Sequence, residues 1–233
     1  MLDNVNICIL GLGYVGLPLA VELSKKYSVT GYDTNQERIS QLIQHHDSTL
    51  EVSPLELKST NIQFSNEISD INECNFYIVT VPTPINENKE PNLNPIISAS
   101  QSVGAVLCSG DIVVYESTVY PGATEEICVP ILEEFSNKVL NKDFFVGYSP
   151  ERINPGDKKH TLTDIVKITS GSSEYASDCI DYIYSSIIAA GTYRASSIKV
   201  AEAAKVIENT QRDINIALML SLIHISEPTR LGF

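Results

Sequence analysis

The sequence has 233 residues, of which 43% are hydrophobic and 19% are charged, a composition typical of a globular protein. Its formal net charge of −13 disfavours nucleic acids and anionic membranes as partners, because both carry negative charge. No segment approaches the roughly 20 consecutive apolar residues that a transmembrane helix needs. The N-terminus leads into a predicted strand without a basic, cleavable leader, so the expected location is the cytoplasm.

The beginning of the chain predicts a dinucleotide-binding unit. An apolar strand runs into GLGYVG at residues 11–16, which has the spacing G-x-G-x-x-G, and an amphipathic helix follows to about Lys26. In this motif Gly11 permits a tight turn, Gly13 lets the backbone approach a pyrophosphate, and Gly16 lets the helix pack against the strand. The N-terminus of the helix offers free N–H groups and a positive dipole end to the phosphates.

A second predicted strand, residues 28–32, ends in Asp33, about twenty residues after the first glycine of the motif. A carboxylate at this place accepts hydrogen bonds from the adenosine ribose and repels a 2′-phosphate, so the expected cofactor is NAD rather than NADP. The alternative, from the residues alone, is a glycine turn in an α/β protein that binds no cofactor.

Alternating strands and helices continue through the middle of the chain. After a predicted strand at 76–80 come the turn Val81-Pro82-Thr83-Pro84 and a polar segment, residues 85–94, which we expect to be an exposed loop. The alternation predicts a parallel sheet with helices on both faces, that is, an α/β, Rossmann-type doubly wound fold. The other predicted strands are 111–115, 144–148, 165–169 and 192–195, and the predicted helices are 35–46, a short one beginning at Ser53-Pro54, 95–107, 124–135 and 174–187.

A long helix, from about Ser196 to Met219, closes the predicted fold, and a helix in this position often connects to a second domain or supports dimerisation. Beyond it the sequence abandons the helical pattern, and Pro228 would break a helix. The run LSLIHISEPTR resembles the translation of a sequencing-library adapter, so we expect residues 220–233 to be a non-native tail, with a genuine C-terminus as the alternative. The expected domains are an NAD-binding domain, 1–195, and the start of a helical dimerisation domain, 196–219.

The cysteines and histidines give no sign of a disulfide framework or a metal site. The cysteines have no paired spacing and stand mostly among apolar residues, which is typical of reduced, buried thiols. The histidines form no ligand pattern, so no metal is expected. The residues concerned are Cys8, Cys74, Cys108, Cys128 and Cys179, with His45, His46, His160 and His224.

Five short stretches of the chain stand out together. They are GLGYVG at 11–16, VPTP at 81–84, EST at 116–118, SPERINPG at 149–156, and EAAK at 202–205 with Asn209. In this order and spacing they resemble the UDP-glucose/GDP-mannose dehydrogenase family. The longer run SPERINPGDKKHTLTDIVKITSG most resembles the branch of that family that acts on UDP-N-acetylhexosamines. The resemblance covers about residues 4–219.

The resemblance implies a four-electron oxidation, in which a sugar C6 hydroxyl becomes an aldehyde and then a carboxylate, with two NAD used in succession. In the family's scheme a cysteine traps the aldehyde and carries it as a thioester that water hydrolyses. That cysteine belongs to a Gly-rich Cys-Ile-Pro segment downstream of the Asn209 helix, and none of the five cysteines here matches it. We therefore expect the chain alone to be inactive. For the full-length protein the resemblance implies a UDP-sugar substrate and a homodimer.

The resemblance also implies roles for individual residues. Thr118 orients a water or the substrate oxygen, and Glu151 is an acid/base group in the hydrolytic half. Lys205 and Asn209, four apart on one helix face, stabilise the negative charge that develops at the C6 oxygen. The implied cofactor-binding residues are Gly11, Gly13, Tyr14, Val15, Gly16, Asp33, Arg38, Thr83, Glu116, Ser117 and Thr118.

Each of these assignments has a plainer alternative. Thr83 is then only part of a proline-rich turn, and Glu116 is polar because the end of its strand is exposed. Glu151 forms a surface ion pair with Arg152, and Lys205 is an ordinary solvated lysine. For the whole protein, the alternatives are a two-electron NAD dehydrogenase of the 6-phosphogluconate or hydroxyacyl type, and an NAD-binding and dimerisation module without turnover.

Overall fold

Six parallel strands form the main sheet, in the order β3-β2-β1-β4-β5-β6. This is the strand order of a doubly wound, Rossmann-type sheet, so the predicted α/β fold is confirmed. The computed structural model describes residues 4–86, 88, 90–152 and 162–226, and for 223–226 it describes the helix without the side chains. The strands are β1 Asn6–Leu10, β2 Ser28–Tyr32, β3 Gln63–Ser65, β4 Phe76–Val79, β5 Ile112–Tyr115 and β6 Phe145–Tyr148.

Two of the helix starts that the sequence predicts carry the expected caps. The side chain of Asn35 accepts hydrogen bonds from the backbone amides of Glu37 and Arg38. Ser53 and Glu56 form a reciprocal capping box. The helices are α1 Gly16–Ser24, α2 Gln36–Ile43, α3 Pro54–Ser59, α4 Asn94–Val106, α5 Val129–Ser136, α6 Glu174–Ser185 and α7 Ile198–Ser226.

Each face of the main sheet has its own apolar core, because alternate residues of a strand point to opposite faces. In β1, Ile7 and Ile9 belong to the core shared with α1 and α6. Cys8 and Leu10 belong to the core shared with α4, α5 and the start of α7. These four side chains are at most 1% exposed. Burial on both faces explains why β1 is a continuous apolar run in the sequence.

The last two predicted strands are present, but they pair with each other and not with the main sheet. They are β7 Lys167–Thr169 and β8 Thr192–Arg194, which form a two-stranded parallel sheet. A bridge between Gly147 and Gly171 connects this region to β6. The residue pattern shows that a segment is extended but not which neighbour it joins, so the expected extension of one sheet is wrong here.

The helix predicted over 124–135 is present, in two contiguous segments of different geometry. Its first part, Thr124–Cys128, is a π-helical turn, and α5 begins only at Val129. Pro130 stands at the start of α5 and brings no backbone N–H, so it suits the first turn of a helix better than the middle of one. The prediction of helical structure over 124–135 is therefore confirmed, with a change from π-helical to α-helical geometry at Val129.

The polar loop predicted at 85–94 is largely exposed, and α4 begins at Asn94. Within it Ile85 bridges Pro91, and the side chain of Asn86 accepts a hydrogen bond from the backbone of Glu90. Two positions in this loop, 87 and 89, lie outside the described residues. So do residues 153–161, which include the second half of the SPERINPG stretch.

The end of α7 differs from the prediction. The helix continues to Ser226, so the expected end of helical structure near Met219 is wrong. The residues that follow Met219 are rich in leucine and isoleucine, and a helical backbone does not require an amphipathic pattern. Residues 227–233 lie outside the described residues, and the non-native origin of the tail stays a prediction. In the described part of the chain no helix is both long and apolar enough to cross a bilayer.

Candidate active site

A cavity of about 1090 Å³ opens along the carboxyl ends of β1, β2, β4 and β5. Doubly wound sheets bind ligands at this edge, where the strand order reverses between β1 and β4. Two of the predicted site residues, Gly16 and Asn209, lie outside the lining. The predicted residues that line the cavity are Gly11, Gly13, Tyr14, Val15, Asp33, Arg38, Thr83, Glu116, Ser117, Thr118, Glu151 and Lys205.

The glycine motif has the geometry that its spacing predicts. Gly11 has a φ of +93°, a left-handed conformation that glycine adopts without strain. A β-carbon at Gly13 would meet no atom of the described residues within 4 Å, so the backbone is open to a ligand there. A β-carbon at Gly16 would collide with the carbonyl oxygen of Gly11 and with Oγ1 of Thr80. Gly16 therefore permits the close packing of α1, and Gly13 leaves room for a phosphate.

The carboxylate of Asp33 is fixed at the end of β2. Its Oδ2 accepts a hydrogen bond from the backbone N of Leu12 at 2.9 Å, and its Oδ1 accepts one from the backbone N of Asn35 at 2.9 Å. Each oxygen keeps a further lone pair for a ribose hydroxyl. We call this part of the cavity the adenosine end, because its geometry fits the adenosine of a dinucleotide.

Arg38 is held at the adenosine end by three contacts, one of which is a hydrogen bond from its Nη1 to Oγ of Ser48 at 3.1 Å. Its Nε donates to the carbonyl oxygen of Leu12 at 2.8 Å, and its Nη2 lies 2.8 Å from Oδ1 of Asp47. Burial raises the pKa of Asp47, but hydrogen bonds from the Val52 amide and the Thr49 side chain, among others, outweigh it and the pKa is lowered. Asp47, which sequence reasoning missed, therefore stays ionised and fixes the guanidinium.

At the other end of the cavity a buried lysine joins two carboxylates. Nζ of Lys167 lies 2.7 Å from Oε2 of Glu116 and 3.3 Å from Oε2 of Glu151. The side chains of Lys167, Glu116 and Glu151 are 3%, 0% and 9% exposed. The hydroxyl of Tyr184 donates to Oε1 of Glu116. We call these four residues the lysine–carboxylate cluster; exposure does not explain Glu116, and that alternative is wrong.

The charges of the lysine–carboxylate cluster depend on one another. Burial raises the pKa of Glu116 to about 7, although the Lys167 ammonium opposes the rise. Burial lowers the pKa of Lys167, but the carboxylates of Glu116 and Glu151 outweigh it, so that the pKa is raised. Lys167 is therefore a cation at neutral pH. Glu116 takes up or releases a proton near neutral pH.

Two hydrogen bonds tie together the loops that follow β4 and β5. Oγ1 of Thr83 donates to the carbonyl oxygen of Thr118 at 2.6 Å, and Oγ of Ser117 donates to the carbonyl oxygen of Val81 at 2.6 Å. The Thr118 residue stays exposed in the cavity wall. The structure therefore brings Thr83, Ser117 and Thr118 together at the edge of the sheet, as the resemblance implies.

α7 places Lys205 next to Glu151. Its ammonium donates to the backbone carbonyl of Glu151, and burial lowers its pKa despite the nearby Glu151 and Glu208 carboxylates. The Arg152 guanidinium pairs with Glu208, with Nη2 2.8 Å from Oε1. The alternatives of a solvated Lys205 and of a Glu151–Arg152 surface pair are therefore wrong. Asn209 lies one turn further along α7, outside the lining, and its role stays a prediction.

Residues 5–188 match the UDP-glucose/GDP-mannose dehydrogenase family, NAD binding domain. The chain belongs to this family. The resemblance carried by the five sequence stretches is thereby confirmed, and so is NAD as the cofactor of this domain.

Several similar proteins are named for activities on UDP-sugars. The UDP-N-acetyl-D-glucosamine 6-dehydrogenase of Salmonella typhi is 62% identical over 222 residues, which are 95% of this chain and 52% of that protein. The enzyme of the same name from Pseudomonas aeruginosa is 60% identical over 95% of this chain and 53% of its own length. The UDP-D-ManNAc dehydrogenase structure from Pyrococcus horikoshii has a TM-score of 0.84 at 32% identity, covering 92% of this chain and 52% of that one. The chain therefore spans about half the length of these relatives.

Sequence reasoning missed two residues of the lysine–carboxylate cluster. A signal for Lys167 was present, because it stands between Val166 and Ile168 in a predicted strand, and a charge in a buried strand needs a partner. Tyr184 gave no comparable signal, since it occupies the buried face of an amphipathic helix, α6, where an aromatic residue is expected in any case. Neither residue belongs to the five stretches.

Glu202, in the EAAK stretch, holds α7 against the sheet domain. Its buried carboxylate accepts hydrogen bonds from the backbone N of Gly122 at 2.5 Å and of Thr124 at 2.9 Å. It thereby caps the π-helical turn that begins at Thr124. This attachment fixes the position of the next turn of α7, and with it the position of Lys205 at the cavity.

The described residues contain no group of three His, Cys, Asp or Glu side chains that could hold a metal ion. All five cysteines are free thiols, of which Cys108 is exposed and the other four are buried. Among the described residues that line the cavity there is no cysteine. The thiol of the family's scheme is therefore not supplied by this cavity wall.

Proposed function

We propose that this chain is the N-terminal half of an NAD-dependent nucleotide-sugar 6-dehydrogenase, which oxidises the C6 hydroxyl of a UDP-N-acetylhexosamine to a carboxylate. The observation that carries the proposal is that the glycine motif, Glu151 and Lys205 open into one cavity. The identities of 62% and 60% to UDP-N-acetyl-D-glucosamine 6-dehydrogenases favour N-acetylglucosamine as the sugar.

NAD fits the residues of the adenosine end. The open backbone at Gly13 and the positive dipole end of α1 are suited to the pyrophosphate, and the N-cap residue, Val15, makes no side-chain cap at this end of the helix. The carboxylate of Asp33 is suited to the ribose. The loops after β4 and β5 would hold the nicotinamide half. When bound, NAD supplies the hydride acceptor for each oxidation.

Lys205 is the proposed group that stabilises negative charge at the C6 oxygen. Its ammonium lies at the cavity wall, and its lowered pKa lets it exchange a proton more readily near neutral pH than an exposed lysine does. Thr118, exposed in the same wall, would orient a water or the substrate oxygen. Asn209 would assist from the same helix.

Glu151 is the proposed general base of the hydrolytic half. In that step the oxygen of a water bonds to the thioester carbon and the C–S bond breaks, while Glu151 takes a proton from the water and passes it to the departing sulfur. Glu151 lines the cavity and is held there by Lys167 and Lys205. The thiol would come from outside this chain.

The test is the stoichiometry of NADH formation. The reading frame is resequenced through and beyond the codon for Met219, and the encoded protein is given NAD and a limiting amount of UDP-N-acetylglucosamine. We expect two NADH for each UDP-sugar consumed. One NADH per substrate would support the two-electron dehydrogenase instead, and NAD binding without NADH from any UDP-sugar would support the module without turnover.

A matched pair of lysine variants on α7 tests the role of Lys205. Lys205→Met should lower kcat/KM at least about a hundredfold, because it removes a charge-stabilising group from the cavity. Lys199→Met removes an exposed lysine that lies earlier on α7 and pairs with Glu126. It should leave kcat/KM within about twofold of the wild-type value. Equal losses in the two variants would remove the support for Lys205.

The remaining proposals concern assembly, boundaries and location. A run of exposed apolar side chains on α7 supports a homodimer of the full-length protein formed through this helix. The proposed boundaries are 1–195, 196–219 and a non-native tail at 220–233. Five unpaired thiols support a location in the cytoplasm. The exposed side chains of α7 include Ile207, Ile214, Ile216, Leu218 and Met219.

A further inference from the structure

Lys167 lies behind the cavity wall rather than in it. Glu116 and Glu151 both line the cavity, whereas the lysine that contacts them does not. Its ammonium is 2.7 Å and 3.3 Å from the two carboxylates, and its side chain is 3% exposed. Lys167 can therefore influence a ligand in the cavity only through these carboxylates.

The two carboxylates are held to different extents. Glu116 has the shorter contact with Lys167, and it also receives a hydrogen bond from Tyr184. Glu151 has the longer contact and is the more exposed of the two, and its Oε1 accepts a hydrogen bond from the backbone N of Arg152. Buried charges persist when each has an opposite or hydrogen-bonded partner. Glu116 is accordingly the fixed anchor of the ammonium, and Glu151 is the carboxylate that the ammonium holds toward the cavity.

We propose that Lys167 is a positioning residue for the reaction, which holds the Glu151 carboxylate at the cavity in the ionised form while Glu116 anchors the ammonium. This inference rests on the proposed role of Glu151 as base. The proton taken from water passes to Glu151 and then to the departing sulfur, and Lys167 keeps its own proton throughout. Lys167 thus acts through Glu151 and contacts neither substrate nor cofactor.

Among the described residues, other titratable groups face the cluster, but none of them replaces the charge of Lys167. Burial raises the pKa of both tyrosines beside it, so they are neutral at neutral pH. On α7, Glu208 is paired with Arg152, and Glu202 caps the turn that begins at Thr124. The α7 lysine bonds to a backbone carbonyl. These groups are Tyr148 of β6, Tyr184 of α6, Glu202, Lys205 and Glu208 of α7, and Arg152.

The experiment follows the carboxylates themselves in the protein of 233 residues. Glutamate side chains are labelled with carbon-13, the signals are assigned with Glu116→Gln and Glu151→Gln, and their shifts are recorded from about pH 4 to about pH 9. The variants compared are Lys167→Met, Lys167→Arg and Thr169→Val. Thr169 is the control, because it lies on the same strand, is 0% exposed and bonds through Oγ1 to Asp181 at 2.8 Å.

Lys167→Met should raise the titration midpoint of Glu151 by at least about one pH unit, because a nearby opposite charge favours the ionised form. Lys167→Arg, which keeps the charge, should reverse most of this rise. Thr169→Val should leave the midpoint of Glu151 unchanged even if it lowers the melting temperature. The same midpoint in wild type and Lys167→Met would overturn the proposal, and so would an equal rise in Thr169→Val.

A double variant keeps the test decisive if Lys167→Met does not fold. Lys167→Met with Glu116→Gln removes both charges of the shorter contact and leaves Glu151 in place, and circular dichroism checks the fold. Buried ion pairs are often replaced in this way without loss of the fold. Compared with Glu116→Gln alone, which also lacks the Glu116 charge, the double variant should show a rise in the midpoint of Glu151, because only the Lys167 charge differs between the two. The absence of this rise in the folded double variant would overturn the proposal.

Kinetics of the encoded full-length protein separate this inference from the proposed function. Lys167→Met should give a rapid burst of two NADH per site followed by slow turnover, because only hydrolysis needs the positioned base. The relative decrease in kcat should exceed any change in KM, and the pH profile of kcat should shift to higher pH. Lys167→Arg should restore the profile. A wild-type protein that forms no NADH would remove the proposed function and leave the carboxylate titration standing.

Discussion

The adenosine end of the cavity comes from one continuous part of the chain, residues 10–49, whereas the lysine–carboxylate cluster takes its side chains from separate elements. At the adenosine end, Asp33 accepts hydrogen bonds from backbone amides, and Arg38 contacts a backbone carbonyl and the side chains of Ser48 and Asp47. In the cluster, Glu116 and Lys167 bond to other charged or polar side chains. The adenosine end therefore depends largely on bonds to backbone groups, which also support its one ion pair, whereas the cluster depends on charges that compensate one another.

This difference determines whether a substitution at each end lowers ligand affinity or the stability of the fold. A site built from backbone keeps its fold when a lining side chain changes, and loses mainly affinity for its ligand. A site built from buried charges loses stability when one charge is removed, because the remaining charges stay buried without the opposite charge that compensated them. The carboxylates of the two ends show the contrast, since the pKa of Asp47 is lowered and that of Glu116 is raised.

The largest expected effect comes from removing the cation at each end. Lys167→Met should cost about 3–5 kcal/mol of unfolding free energy near pH 8, because Glu116 and Glu151 remain buried without their cation. Arg38→Met should cost less, about 1–3 kcal/mol, because Asp47 keeps hydrogen bonds from three backbone amides. Urea unfolding of both variants measures the difference. A greater loss in Arg38→Met would reverse the comparison.

Two glycines sharpen the comparison within the adenosine end. Gly16→Ala should cost about 1–3 kcal/mol of unfolding free energy, because the new methyl collides with Gly11 and Thr80. Gly13→Ala has open space around it and should keep the unfolding free energy within about 0.5 kcal/mol while weakening NAD binding about tenfold or more. Urea unfolding and calorimetric NAD titration measure the two effects. A Gly13→Ala variant that is destabilised but binds NAD with wild-type affinity would show that the backbone at Gly13 does not contact the dinucleotide.

A smaller effect is expected at Asp33. Asp33→Asn keeps one acceptor oxygen for the backbone amides but loses the negative charge, so NAD should bind about tenfold more weakly, or by about 1.4 kcal/mol. The affinity for NADP should rise, because the 2′-phosphate is no longer repelled. Fluorescence titration with both cofactors measures the ratio. Glu37→Gln, which removes an exposed charge on α2, is the control and should leave that ratio unchanged.

The pH dependence of stability should differ in sign between the two ends. Glu116 has a folded pKa of about 7 against an ordinary value of 4.5, so its contribution is complete below about pH 4.5 and is lost as the pH rises through about 7. The pKa of Asp47 is lowered from 3.8, so its contribution is present above that value and is lost as the pH falls below it.

Variants of these two carboxylates separate the two limbs of the stability curve. Glu116→Gln should flatten the fall of the unfolding free energy between about pH 4.5 and about pH 7. Asp47→Asn should change only the acid limb. Urea unfolding at a series of pH values provides the curves. A Glu116→Gln variant with the wild-type slope in that window would mean that Glu116 is ionised throughout.

The adenosine end could be predicted from the sequence because its geometry is local. The glycine spacing and Asp33 indicate the turn, the helix start and the ribose contact without any knowledge of distant residues. The cluster could be predicted only in part. Glu116 and Glu151 stand in recognisable stretches, but Lys167 is 51 and 16 residues away from them, and a pattern read along the chain does not reveal such a pairing.

The errors in the fold have similar causes. The three-residue strand β3, Gln63–Ser65, is too short to show an alternating pattern, so it was not predicted. β7 and β8 were recognised as strands, but their mutual pairing depends on tertiary contacts. Local sequence signals therefore predict which helices and strands form better than they predict which strands pair with each other.

The most direct measurement asks whether one bound dinucleotide reaches both ends of the cavity. Aspartate and glutamate carboxyls of the 233-residue protein are labelled with carbon-13, and spectra are recorded as NAD or ADP is added. We expect NAD to move the signals of both Asp33 and Glu116, and ADP to move that of Asp33 alone. Two results would contradict a single cavity that joins the adenosine end to the lysine–carboxylate cluster. One is that NAD fails to bind, and the other is that NAD moves the signal of Asp33 and leaves that of Glu116 unchanged.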